Sequence, residues 1–212
     1  MITPVRRIRP TKGMNYRSKI GSTKNLQIIY AESLLERDYV RLCNFDPSVL
    51  KIYYQPRGIE YHYKGKKRTY YPDYLIISSE LKYYLVEVKL KEFVNKNTNK
   101  AKFVVAKEYC KLKNWTFLVL TEDQIRPGFL QKNLRILLEK TKYENNPSVV
   151  EYIKVVLLQS DFLTIGELRE LCNVIEPSVF MINLYKMIYN GEVGFDLFSQ
   201  TLNDEGIIWL NP

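Results

Sequence analysis

Residues 83–91 read Tyr83-Tyr84-Leu85-Val86-Glu87-Val88-Lys89-Leu90-Lys91, and the alternation in this run decides how the chain folds. Side chains alternate across a strand, so Val86, Val88 and Leu90 share one face while Glu87 and Lys89 share the other. A carboxylate and an ammonium therefore point together off a strand whose reverse side is core. Fourteen residues upstream of Glu87, Pro72-Asp73 opens the apolar run Tyr74-Leu75-Ile76-Ile77. Two neighbouring strands would bring Asp73 and Glu87 within reach of one divalent ion. A hard, reluctantly dehydrated cation such as magnesium is usually held by one or two carboxylates plus waters and substrate phosphates. Lys89 would then help deprotonate an attacking water or stabilise pentacovalent phosphorus.

Working outward, apolar residues at Ala31, Leu34, Leu35, Tyr39 and Leu42 recur at helical spacing and predict a helix over 25–44, closed by a turn at 45–48. Segments 49–54, 59–63, 69–77 and 83–90 are rich in β-branched and aromatic residues, which predicts a meander of antiparallel strands. A helix over 100–112 follows, with Ala101, Val104, Val105 and Leu112 inward and Lys100, Lys107 and Lys111 outward. Residues 115–120 form a buried strand, and Thr121 with Gln124 forms a capping box for the next helix. After a polar stretch at 140–147, three short helices (149–158, 165–171, 177–189) and a hairpin (191–210) give the outline of a winged helix. The organisation expected is a basic extended arm over 1–24, an α/β domain over 25–140, and a small winged-helix-like domain over 145–212.

Composition excludes much else. With three cysteines (Cys43, Cys110, Cys172) and one histidine (His62) in 212 residues, neither a disulfide framework nor a zinc site can be assembled. Cys–His dyads fall with them, and a serine triad would need His62 as its base. Carboxylates, lysines and a hard metal ion remain. No apolar run approaches the ~18 residues needed to cross a bilayer. The basic opening lacks a secretory apolar segment or a transit pattern, so the expected location is the cytoplasm, on the nucleoid when active. His62, in an alternating strand, is expected at the surface.

The net charge of +9 is unevenly spread. Residues 1–31 carry Arg6, Arg7, Arg9, Lys12, Arg17, Lys19 and Lys24 with no acid, residues 32–140 carry 21 basic against 13 acidic side chains, and residues 141–212 carry 4 against 10. A basic arm on a basic domain is the footprint of a polyanion binder, because neutralised phosphates release counterions. Double-stranded DNA is the partner expected, through Arg6, Arg7, Arg9, Lys12, Arg17, Lys19, Lys100, Lys107 and Lys111. The acidic C-terminal part is expected to meet a protein, since its candidate recognition helix over 178–189 offers Lys186 as its only cation. On the helix over 25–44, Glu32 and Glu36 lie four apart on one face, where like charges cost roughly 0.2–0.5 kcal/mol. A bound cation would compensate, and spacing does not choose between the two.

Asp73 with Glu87-Val88-Lys89 resembles the PD-(D/E)xK nuclease pattern. The run AESLLERDYVRLCNFDPSVLKIYYQP (31–56), continuing into YYPDYLI (70–76) and LVEVK (85–89), is similar to the N-terminal domain of TnsA-type transposon endonucleases over about residues 15–125. That resemblance implies a restriction-endonuclease-like mixed-sheet core, with Glu36 as the helix carboxylate, Asp73 and Glu87 as metal ligands and Lys89 as the catalytic lysine. Glu32 would be the supporting member of its pair. It further implies magnesium dependence, with manganese tolerated, and cutting of the 5′ side at transposon ends. The partners implied are a TnsB-type DDE transposase, which cuts the 3′ side, and a TnsC-type AAA+ ATPase. A stand-alone restriction or repair nuclease and a non-catalytic DNA-binding adaptor are the alternative readings.

Overall fold

The first helix starts later than its periodicity predicts. In the computed structural model, which describes residues 18–212, β1 (Ser18–Gly21) pairs antiparallel with β2 (Ile28–Ala31), and α1 runs Leu34–Phe45. Ser33 fixes that start, because its hydroxyl accepts the Glu36 backbone N–H at 3.1 Å, while β-branched Ile28 and Ile29 favour extended chain before it. The tail of the expected arm is folded rather than waiting for a partner. Lys24 Nζ donates to the Asp46 carbonyl at 2.7 Å and Asn25 Nδ2 to the Ile52 carbonyl at 2.9 Å. Arg6, Arg7, Arg9, Lys12 and Arg17 lie outside the described residues.

The strands that follow are not one meander. After β3 (Val49–Tyr54) the chain leaves the sheet to make a separate ribbon, β4 (Ile59–Tyr63) and β5 (Lys66–Tyr70), then returns as β6 (Tyr74–Ser78) and β7 (Tyr83–Val88). The expected strand over 69–77 is thus broken at 71–73. A crossover through α2 (Lys91–Val94) and α3 (Asn97–Lys113) brings β8 (Thr116–Leu120) parallel to β7. The central order is β3-β6-β7-β8, antiparallel except for that last pair. Both faces are covered. Leu35, Tyr39, Val40 and Cys43 of α1 pack with Tyr74, Ile76, Val86 and Val88 on one side. Ala106 and Cys110 of α3 pack with Leu75, Leu85 and the ribbon's Ile59, Tyr61 and Tyr70 on the other. Double coverage explains why β6 is a continuous apolar run instead of an alternating one. On α3 the buried residues are Phe103, Ala106 and Cys110, while Val104 and Leu112, expected inward, are exposed. A mixed sheet with helices on both faces fits a restriction-endonuclease-like core. The unit ends with α4 (Glu122–Ile125), below the Thr121–Gln124 cap.

The chain divides into two units after Ile125, one helix earlier than the polar stretch at 140–147 suggests. α5 (Leu130–Lys140) belongs to the second unit because buried Asn133 ties it there: its amide donates to the carbonyls of Leu197 and Gln200, and its oxygen accepts the Leu202 N–H. The second unit continues with α6 (Pro147–Leu157), β9 (Leu163–Thr164), α7 (Ile165–Leu171), α8 (Pro177–Tyr189), β10 (Val193–Phe195) and β11 (Ile207–Leu210). A capping box between Thr164 and Glu167 opens α7, and Pro177 takes the first turn of α8. The hairpin strands β10 and β11 gain β9 as a third, in the order β10-β11-β9. Gly194 faces Trp209 in that register, and a Cβ there would fall 2.1 Å from the indole. No helix among the described residues is long and apolar enough to cross a membrane.

Candidate active site

The antiparallel register of β6 on β7 pairs Tyr74 with Val86, so one residue further along, Asp73 faces Glu87. Asp73 is held from two sides. Its Oδ2 accepts the Val88 N–H at 2.8 Å, and its carbonyl accepts the Gln55 N–H at 2.7 Å. Gln55 closes β3 in a left-handed conformation (φ 41°), buried, with a side-chain oxygen that has no partner among the described residues. Glu87 is 2% exposed and engaged at both oxygens. The Tyr70 hydroxyl donates to Oε2 at 2.7 Å, and Lys89 Nζ lies 3.0 Å from Oε1. Lys89 is itself positioned by β8, its N–H donating to the Leu120 carbonyl at 2.9 Å.

Glu36 approaches from α1. Its Oε1 accepts the Ser33 hydroxyl and its Oε2 the Glu32 N–H, both at 2.9 Å, so the carboxylate also closes the helix start. The Tyr74 hydroxyl donates to the Tyr30 carbonyl at 3.0 Å and stands 3.5 Å from Glu36 Oε2. Beside it, Glu32 keeps one buried carboxylate oxygen with no hydrogen-bond partner among the described residues.

These groups share one electrostatic environment. Burial raises the Asp73 pKa well above the usual carboxylate range, and Glu87 and Glu36 raise it further against Lys89 and the Val88 N–H. Glu36 is also raised, chiefly by burial, with its two capping bonds and Lys89 opposing. Burial works against the Lys89 ammonium, but Glu87 and Asp73 outweigh it and the net shift is upward. Burial and then the Glu87 charge push the Tyr70 hydroxyl far above the phenol range, so it stays a donor.

Asp73, Glu87 and Lys89 therefore lie together at one end of the sheet, and Glu36 reaches Asp73 and Lys89 through its charge from α1. Among the described residues, no three His, Cys, Asp or Glu side chains lie close enough together to hold one metal ion, so Glu36, Asp73 and Glu87 do not form the three-carboxylate set expected from the sequence. The sheet itself separates them: Glu87 follows the parity of Leu85 toward the α3 face, Glu36 comes from the α1 face, and Asp73 feels both. The residues nevertheless fit a hard divalent cation. All candidate donors are oxygens, Glu32 keeps a buried carboxylate oxygen with no partner among the described residues, and the neighbouring carboxylates Glu87 and Glu36 disfavour ionised Asp73, a repulsion that a cation would relieve.

The remaining candidates lie apart. Lys19 is exposed on β1 with Nζ 5.9 Å from the Tyr30 ring centre, and Lys100, Lys107 and Lys111 form an exposed stripe on α3. His62 is exposed on β4. No pattern in the sequence ties Tyr70 or Gln55 to this site. Tyr70 is one tyrosine among 17, set apart only by its place just before Tyr71-Pro72-Asp73.

Residues 46–122 match the family model described as TnsA-like endonuclease N terminal. That stretch is similar to the N-terminal part of TnsA-like endonucleases. That segment spans β3 to β8 and takes in Asp73, Glu87 and Lys89, while Glu32 and Glu36 precede it. No curated protein matches the chain. The match supports the TnsA-type resemblance seen in the sequence and, with it, a nuclease role in a transposition context.

Proposed function

We propose that this protein is a magnesium-dependent DNA endonuclease that cuts the 5′ side at transposon ends, with manganese tolerated in place of magnesium. The reading rests on one observation: Asp73 faces Glu87, and Glu87 is ion-paired to Lys89, within the TnsA-like segment. Asp73 and Glu87 would hold the cation, with Glu36 and Glu32 completing the negative end of the site. When bound, the ion would supply Lewis acidity at the scissile phosphate.

The side chains supply the rest. Lys89, kept protonated by its two carboxylate neighbours, offsets negative charge as phosphorus becomes pentacovalent. Tyr70 and the Val88 N–H fix the rotamers of Glu87 and Asp73, so little reorganisation remains when phosphate arrives. The arm and the α3 lysines hold the duplex. Partners in the reading are a TnsB-type transposase and a TnsC-type ATPase, and the place of work is the cytoplasm, on the nucleoid.

For the second unit we propose a winged-helix-like module that docks protein. α8 buries Phe180, Leu184, Tyr185, Met187 and Ile188, and Lys186 Nζ is engaged by the Tyr143 carbonyl, so this helix offers little to a base edge or a phosphate.

Lys89→Ala tests the central reading. Metal-dependent cutting of an end-bearing duplex, assayed with both partners present, should fall by at least ~100-fold, while duplex affinity changes little. Undiminished cutting would exclude the mechanism. Efficient cutting by the purified chain alone would favour a stand-alone nuclease.

A further inference from the structure

The β4–β5 ribbon is a sheet of its own, paired from Ile59↔Tyr70 at its root to Tyr63↔Lys66 at its tip. The root is apolar: Ile59, Tyr61 and Tyr70 pack with Ala106 and Cys110 of α3. Toward the tip the character reverses. Lys64, Lys66, Lys67 and Arg68 are all exposed there, and Arg57 is exposed just before the root, against one acid, Glu60. Glu60 pairs with Lys67 at 2.9 Å, and among the described residues no carboxylate pairs with the other four.

The tip concentrates this charge at some conformational cost. Lys64 (φ 49°) and Gly65 (φ 71°) are the central residues of a two-residue turn with both angles positive, where asparagine or glycine is favoured at the first position. A lysine stands there instead. The Lys64 ammonium and the Arg68 guanidinium lie 5.8 and 5.4 Å from the same Tyr63 ring centre, so two like charges gather around one aromatic ring. Lysines on an exposed strand edge also deter edge-to-edge aggregation. Any charge would serve that purpose, and it gives no reason for the ribbon's root to be bonded to the candidate site. The root is so bonded, because Tyr70, the last residue of β5, donates to Glu87 at 2.7 Å.

We propose that the β4–β5 ribbon is a second contact surface for duplex DNA, with Lys64, Lys66 and Arg68 gripping backbone phosphates beside the bond to be cut. From Tyr70 to Lys66 the strand spans ~13 Å at ~3.3 Å per residue. That is the length of about four nucleotide steps of ~3.4 Å, which sets the scale of the distance between the grip and the Tyr70–Glu87 contact. The proposal deepens the nuclease reading and depends on it for the position of the grip; the polyanion chemistry stands on the ribbon alone.

The test is the salt dependence of binding to an end-bearing duplex, measured by fluorescence anisotropy on the full chain without divalent metal. Replacing Lys64→Gln, Lys66→Gln and Arg68→Gln together should flatten the plot of log affinity against log salt by about 2.7, and weaken binding roughly a hundredfold at 0.15 M salt. Lys64→Arg, Lys66→Arg and Arg68→Lys together should retain the parent slope. If the triple Gln chain does not fold, Lys66→Gln alone should flatten the slope by about 0.9. An unchanged slope overturns the proposal. So does a loss of affinity for poly-glutamate with duplex affinity intact, which would make the ribbon a dock for an acidic protein. A flattened slope in a chain that never cuts DNA would retain the ribbon and remove the nuclease. An intact slope alongside Asp73-dependent cutting would do the reverse.

Discussion

Asp73→Asn should stabilise the metal-free protein while abolishing its cutting. The amide keeps the side chain's shape and an oxygen for the Val88 N–H, now donating at 2.8 Å. It removes one negative charge from a site where burial, Glu87 and Glu36 all disfavour ionised Asp73 and Lys89 is the opposing cation. Two carboxylates on facing strand positions, ~6 Å apart at an effective dielectric of ~20, repel by roughly 3 kcal/mol. Allowing for Lys89, the relief should be about 1–2 kcal/mol. Its pH dependence has a definite sign. Because folding raises the Asp73 pKa above its ordinary 3.8, folding takes up a proton, and the parent loses stability as pH climbs through the raised value. The asparagine variant does not titrate there, so its advantage is absent below about pH 4 and is larger at pH 8. Urea unfolding in EDTA at both pH values measures this, and added magnesium should stabilise the parent more than the variant. A variant less stable than the parent at pH 8 in EDTA would refute the assignment of Asp73 to a strained anionic cluster.

Two further outcomes follow from single contacts. Tyr70→Phe leaves Glu87 Oε2 buried without its donor, which should destabilise the first unit by ~1.5–3 kcal/mol in urea and raise the half-saturating magnesium concentration for cutting 10-fold or more; an unchanged metal requirement would show that Tyr70 does not orient the site. Gly194→Ala would drive a methyl into Trp209 and should cost the second unit ~1–3 kcal/mol, read from the indole fluorescence during unfolding; wild-type stability would mean that the β10–β11 pairing tolerates a side chain there.

The central strands were legible because their chemistry is local. Alternation in Glu87-Val88-Lys89 and the apolar run behind Asp73 required only the two-residue period, and the register then placed the two acids opposite each other. Pairing was not legible: nothing local says that β3 skips two strands to meet β6, leaving Tyr63, Lys64 and Arg68 on a separate ribbon. The start of α1 was readable in Ser33 and Glu36, a capping pair, but apolar spacing reaching back to Ala31 suggested a longer helix. The inward face of α3 departs from its apolar spacing because Val104 and Leu112 satisfy the period without being covered. The division after Ile125 depends on Asn133, whose partners lie more than sixty residues away and leave no trace in composition.

Glu36 carries two duties with the same two oxygens, closing the first turn of α1 and facing the acidic end of the sheet. Genetic screens that score only loss of transposition would therefore return Glu36 alleles in which damaged chemistry and a frayed helix look alike. Glutamine at this position keeps an acceptor for the Glu32 N–H and discards the charge, so it is the allele that tells the two defects apart.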